Sequence, residues 1–334
     1  MIIMKYKNPK RKKHKRNKRI FKKEEEDYIK ENILGVITKF ILILIISIFS
    51  IKIKGKTKYS DKSNKMKVAL CTMGRNEILY INEFVSFHLK LGVDTLYIYD
   101  DNIEEKEKFI NAITPNDSVV IEYTKDYDIK DLGQAFTHCY NKHKDDYDWI
   151  IMTDMDEYLI IKNNQTLKEY LSDKVFDKCD SIKIHWKMSS DNNLLHYENK
   201  SLFERFKEPY LQSDHIKSVM RGGITGLVYY QHSPLKADRN VSCDNAGRLL
   251  NYTKINIQSV RPYNTDRAYI LHFYFKSTEE YINKFKRGYK DWPQSKLDGW
   301  ILKYFKQNKI TIEKIEMLEK AFNITLEKYR KKLK

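Results

Sequence analysis

The sequence predicts an α/β fold built on a parallel sheet with helices packed on it. Three observations carry this expectation. Between residues 67 and 152, short apolar runs rich in Val, Ile and Tyr alternate with segments of helical period; strands alternating with helices pair in parallel through right-handed crossovers. The fourth run, Trp149-Ile150-Ile151-Met152, leads straight into Thr153-Asp154-Met155-Asp156-Glu157, and ligands of open α/β sheets collect beyond the carboxyl ends of the strands. No Gly-x-Gly-x-x-Gly and no phosphate-loop motif occurs, so the common dinucleotide and P-loop versions of such a sheet have no support.

The chain has 334 residues, enough to bury a real core. Its formal charge of +17 suggests a nucleic-acid partner until the charge is located. Residues 1–67 hold 21 Lys/Arg against 6 Asp/Glu, and the remainder 41 against 39. The basicity belongs to a tail, and the folded part is not expected to bind nucleic acid. That tail, 1–32, precedes an apolar run at 33–51 interrupted once, by Lys39. A spanning helix needs roughly 20 apolar residues, and no small-residue cleavage site follows. A retained single-pass anchor is expected, its basic flank in the cytosol, with residues 52–66 as a stem. A buried or interfacial helix is the competing account.

The globular part opens with a strand, Lys67 to Met73. Gly74-Arg75-Asn76-Glu77 turns into a helix with Ile78, Ile81, Val85 and Leu89 on one face. Gly92 stands where a helix stops, and His88 is expected to pack helix on sheet. Thr95–Tyr99 is the second strand, ending in Asp100-Asp101-Asn102; a charged helix is expected over Glu104–Ala112. Ser118–Tyr123 is the third strand, Gln134–His143 a helix, and the Asp148 stretch the fourth strand. Beyond it, Ile182–Trp186 and Tyr269–Phe275 read as strands, and Val228–Tyr230 and Ile255–Ile257 as shorter pieces. Ser277 and Glu280 form a capping box, and Ile312–Leu333 a charged amphipathic helix. Cys71 and Cys139 read as buried thiols, since nothing spaces them as zinc ligands; pairing among the four Cys stays open.

Asp154 and Asp156 are one residue apart at a strand end. At that spacing one carboxylate binds a hard divalent cation directly and the other directly or through water, leaving positions for a diphosphate. A strand followed by a plain acidic turn is the alternative.

An ordered series of residues then carries a resemblance. It comprises Arg75-Asn76-Glu77, Tyr80, Glu83, His88, Gly92, Tyr97 to Asn102, Cys139-Tyr140, Asp148-Trp149, Asp154-Met155-Asp156-Glu157-Tyr158, Trp186, Asp191-Asn192, Glu204-Arg205-Phe206, Lys217, His232, Gly247, and His272-x-Tyr274-x-Lys276-Ser277. Over residues 67 to 290 the chain resembles glycosyltransferase family 92, sugar-nucleotide transferases of the GT-A fold. Tyr158, where such proteins often have Phe, is a departure. The resemblance implies a Rossmann-like mixed sheet flanked by helices over 67–310, with 311–334 as an added C-terminal helix. It implies a nucleotide-diphosphate sugar donor, favouring UDP-galactose, and a glycan acceptor with inversion. By the same resemblance Thr72, Arg75, Asn76, Glu77 and Asp101 would read the nucleotide, and Lys217 and Lys276 would contact phosphate. Asp154, Asp156 and His272 would hold Mn²⁺ or Mg²⁺, a Lewis acid for the leaving diphosphate.

Inversion needs a base for the acceptor hydroxyl, and Asp191, then Asp214, are the candidates. The tail charge places the catalytic part across the membrane from the cytosol, in a Golgi-type lumen if the source is eukaryotic, whereas a bacterial source would put the domain in the cytoplasm; Asn-x-Ser/Thr sites at Asn116, Asn164, Asn199, Asn240, Asn251 and Asn323 are compatible with a lumen. Two rivals remain: a catalytically inactive sugar- or nucleotide-binding protein of the same fold, and a nucleic-acid or membrane-surface protein driven by the tail.

Overall fold

The computed structural model describes residues 65–251, 258–286 and 294–333. The chain divides into two units, 1–60 and 61–334, and every described residue lies in the second. The expected tail, anchor and most of the stem, and the piece at Ile255–Ile257, lie outside the described residues. Among those described, no helix is long and apolar enough to cross a membrane.

The first half follows the expected alternation: β1 (Val68–Gly74), α1 (Ile81–Leu91), β2 (Thr95–Asp100), β3 (Val119–Tyr123), α2 (Leu132–His143) and β4 (Trp149–Met152). The second half comprises β5 (Glu157–Ile161), α3 (Leu167–Leu171), β6 (Ser181–Met188), α4 (Leu202–Arg205), β7 (Leu211–Arg221), β8 (Val228–Tyr229), β9 (Pro234–Lys236), β10 (Ser242–Asp244), β11 (Ala268–His272), α5 (Thr278–Lys286), α6 (Gln294–Gln307), α7 (Ile312–Phe322) and α8 (Glu327–Arg330).

One sheet runs β3-β2-β1-β4-β7-β6-β11-β5, with β10 also on β6. The strands β3, β2, β1 and β4 pair in parallel. β7 then enters antiparallel between β4 and β6, and β5 closes antiparallel on β11. The sheet is therefore mixed, and the parallel expectation holds only for its first half. Alternation along β1 sends Val68 and Leu70 into one apolar layer and Ala69 and Cys71 into the other.

Several elements differ from expectation for local reasons. Over Glu104–Ala112 there are two single 3₁₀ turns, because Asp100 Oδ2 accepts the Phe109 N–H at 2.8 Å and draws Phe109 into the core. β11 stops at His272, where the Phe273 N–H turns to Asp156 O at 2.9 Å. The C-terminal helix breaks in two at Asn323, which adopts φ 52°, and Ile315, Leu318 and Tyr329 enter the same core as the sheet. The helix end at Gly92 (φ 112°) and the Ser277–Glu280 capping box are as expected. The buried thiols are instead disulfides: Cys71–Cys139 ties β1 to α2, and Cys179–Cys243 ties the chain ahead of β6 to β10. A loop of this length closed by a disulfide stabilises by roughly 4 kcal/mol in the chain-entropy account.

Candidate functional site

β4 hands over to a turn that Glu157 closes from inside. Glu157 Oε2 accepts from Thr153 Oγ1 at 2.9 Å and from the Asp154 N–H at 3.0 Å, and the Glu157 N–H donates to Asp154 O at 3.1 Å. Met155, between the two aspartates, is buried in the core and anchors the turn. Gly74 makes room for it, since a Cβ there would stand 2.1 Å from Met155 Sδ.

Asp154 remains 31% exposed, and its Oδ1 accepts from Lys217 Nζ at 2.8 Å. Asp156 is buried. Its Oδ1 lies 3.2 Å from His272 Nε2 and its Oδ2 2.6 Å from Lys284 Nζ. Burial pushes the Asp156 carboxyl upward, but Lys284 and then His272 outweigh it and hold the group well below the ordinary value. Burial lowers His272, against the pull of Asp156, which favours the neutral ring that a metal needs as ligand. Burial, joined by the charge of Asp154, raises Glu157.

Among the described residues no three His, Cys, Asp or Glu groups already stand as a metal cage. Lys217 and Lys284 each take one aspartate oxygen. The donor set nevertheless suits a hard divalent ion: two carboxylates and one imidazole nitrogen. Two buried atoms behind it, Glu157 Oε1 and His272 Nδ1, have no hydrogen-bond partner.

The residues assigned to the nucleotide divide. Arg75 and Asp101 line a cavity of about 410 Å³ beyond β1, β2 and β3. They pair at 2.5 Å, and Asp101 Oδ1 also accepts from Thr124 Oγ1 at 2.9 Å. Asn76 and Glu77 line a second cavity, of about 250 Å³, with Tyr274, Lys276 and Lys284. Thr72 is wholly buried and lines neither cavity, and its Oγ1 has no hydrogen-bond partner. Lys217 and Lys276 were expected at phosphate. Both are buried and committed instead, Lys217 to Asp154 and the Gln231 carbonyl, Lys276 to Glu77 at 2.7 Å.

The two base candidates separate sharply. Asp191 is buried under α6 and α7, its Oδ2 held by Tyr304 Oη and Lys314 Nζ, each at 2.6 Å. It locks a structural joint and lines none of the three cavities described here. Asp214 lines the third, of about 580 Å³, beside Trp186, His215 and Lys303. Arg261 donates Nε and Nη2 to Asp214 Oδ2 at 3.0 and 2.9 Å, and that hydrogen bonding lowers the carboxyl's pKa. Asp214 therefore stays ionised at neutral pH.

Sheet order sets two of the cavities and the acidic turn in relation. The 410 Å³ cavity lies at the ends of β1, β2 and β3, the acidic turn follows β4, and the 580 Å³ cavity lies at the adjoining ends of β7 and β6. Trp186 links the last two, its ring centroid 4.4 Å from that of His272. Sequence reasoning gave no role to Glu157 and did not single out Lys284 or Lys303. Lys284 sits among other lysines of a surface-patterned helix, and its partner Asp156 is 128 residues away; no local signal marks it.

Comparison with known proteins gives a consistent result. The model of a family described as "Glycosyltransferase family 92" matches residues 64–326. A stretch of 105 residues is 30% identical to a rice protein (Oryza sativa subsp. japonica) named for that family, covering 31% of this chain and 18% of the relative. A Ricinus communis protein of the same family name is 26% identical over 117 residues, 34% of this chain and 20% of its own length. One from Arabidopsis thaliana is 27% identical over 95 residues, 28% and 16%. The chain thus spans about a fifth of the length of the curated relatives it matches.

Proposed function

The chain belongs to glycosyltransferase family 92, and on that premise we propose that it transfers a sugar from a nucleotide-diphosphate donor to a glycan acceptor. The observation that carries this reading is the approach of His272 to Asp156, at 3.2 Å, in the turn after β4 that also carries Asp154, with one cavity at the ends of β1, β2 and β3 and another at the adjoining ends of β7 and β6. We read the mixed sheet as the GT-A arrangement.

In this reading Arg75 and Asp101 hold the nucleoside, and Asp154, Asp156 and His272 hold Mn²⁺ or Mg²⁺. Such an ion, when bound, supplies Lewis-acid stabilisation of the leaving diphosphate. Lys284, freed from Asp156, is placed to follow the same negative charge. Asp214, ionised inside the saccharide-side cavity, takes the proton of the acceptor hydroxyl, and a base on that side suits inversion. UDP-galactose is the first donor to test. A lumenal location agrees with the two disulfides, which persist in oxidising compartments. The near-neutral folded part is not a nucleic-acid binder.

One observation favours the second reading, a binding protein without turnover: Lys217 and Lys284 already neutralise the aspartate pair. Incubating the full chain with a panel of nucleotide sugars and Mn²⁺, and measuring release of nucleoside diphosphate, separates the two. Turnover supports the transferase. Binding of nucleotide with no turnover of any donor supports the binding protein.

A further inference from the structure

The 580 Å³ cavity has a charge pattern that sugar transfer alone does not require. Trp186 and His215 stack at 5.1 Å and 13° and give it a ring platform, flanked by the amides of Gln212 and Gln307. Its one carboxylate, Asp214, is matched by Arg261. Lys303 has no such match. It projects from α6, its Nζ lies 3.9 Å from the centre of the Tyr274 ring, and among the described residues no carboxylate pairs with it. Lys284 lies over the same ring, at 4.5 Å, but is committed to Asp156. Lys303 is exposed to solvent, so its ammonium is open to a ligand entering the cavity, and the nearby charge of Lys284 adds to the local positive potential. An accessible cation without a carboxylate partner can take a bound anion.

We propose that this cavity is the acceptor subsite and that it selects a saccharide carrying an anionic group, with that group on Lys303 and a sugar face against Trp186 and His215. The inference rests on the transferase reading above and names its acceptor class. The acceptor is preferred to the donor diphosphate as the source of the anion for two reasons. Flat rings beside amides suit sugar faces and hydroxyls rather than phosphate, and the nucleotide-side cavity lies on the other side of the acidic turn.

The test uses the full chain and two matched probes, methyl β-galactoside and methyl β-galacturonide, which differ by one carboxylate. Binding is read by saturation-transfer NMR and titration, and transfer is read where it occurs. A charge-assisted hydrogen bond predicts that the acid binds roughly tenfold more tightly. Lys303→Gln should erase that preference at an unchanged melting temperature, and Lys303→Arg should keep it. Equal affinity for the two probes, or no binding of either, overturns the proposal. So does a Lys303→Gln variant whose loss falls on the donor KM alone, which would assign the lysine to the diphosphate. Donor hydrolysis to water, run without any acceptor, tests the transferase reading separately, since it needs neither probe.

Discussion

Glu157 Oε1 stands 3.6 Å from His272 Nδ1, and neither buried atom has a hydrogen-bond partner. The opposite ring nitrogen, Nε2, faces Asp156. The imidazole is held edge-on between two carboxylates. Histidine ligands usually donate their second N–H to such a group, which fixes the tautomer that presents a lone pair to the metal. Glu157→Gln replaces the carboxyl group behind the ring with an amide. Its affinity for Mn²⁺, measured by calorimetry in the presence of UDP, should fall by about 10–100-fold. An unchanged affinity would restrict Glu157 to closing the turn.

Asp154→Asn and Asp156→Asn should each lower transfer by on the order of 10²–10³ through lost stabilisation of the leaving group. Neither change relieves repulsion between bare carboxylates, because each aspartate is paired with a lysine. Asp154→Asn leaves the buried Lys217 with only Glu157, at 3.7 Å, among acids, and should cost about 1–2 kcal/mol of stability. Mn²⁺ with UDP should raise the melting temperature of the parent and much less that of either variant. Thermal scans with and without the ion check both effects.

Asp191 and Asp214 make opposite predictions. Asp191→Asn strands Lys314 in the core and should cost about 3–5 kcal/mol of stability, with transfer per folded molecule nearly unchanged. Asp214→Asn should leave the melting temperature within about 2 °C and reduce transfer at least tenfold. Denaturant curves alongside initial rates distinguish a joint from a base. An Asp191→Asn protein that is fully stable but inactive would restore the first sequence candidate.

Lys183 supplies a pH dependence. It is buried on β6, donates to Ser218 Oγ at 3.0 Å, and has its pKa lowered to about 7 by burial. The unfolded chain keeps that proton until about pH 10.5. Between these values the unfolded state binds more protons, so stability rises with pH, by about 1.4 kcal/mol per unit from this one group. Below pH 7 the penalty is full and constant. Lys183→Met should therefore stabilise the protein most at pH 6–7, with the gain shrinking toward pH 10. Urea unfolding of parent and variant at pH 6.5, 8 and 9.5 measures that difference.

These outcomes bear on what sequence reasoning can reach. The parallel half was legible because each strand and each helix declares itself within a few residues, as Leu96 to Tyr99 does. The antiparallel half was not. β7, the strand that turns the sheet, reads Gln212-Ser213-Asp214-His215, then Lys217-Ser218, and its burial depends on partners elsewhere: Asp154 for Lys217 and the His232 carbonyl for Ser218. The same limit applies to the site. Asp154, Asp156 and His272 stand in a recognisable pattern, whereas Lys284 and Lys303 become legible only once α5 and α6 are packed. Pairing of four Cys has three solutions, and only the fold selects Cys71 with Cys139.

The order of the strands also governs when the site can exist during synthesis. Residues of β1 to β4 leave the ribosome before those of the antiparallel half and can pair among themselves, so the 410 Å³ cavity and the two aspartates are present while the chain is still growing. β11 must then travel back to lie between β6 and β5, a long-range closure of the kind that slows folding. It brings His272, and α5 follows with Lys284. A truncated or stalled chain would carry two aspartates without the third donor and with an open sheet edge on β6. Competence to bind the ion would thus mark the finished chain, and a ribosome-release series probed with Mn²⁺ would show it appearing only after residue 272 has emerged.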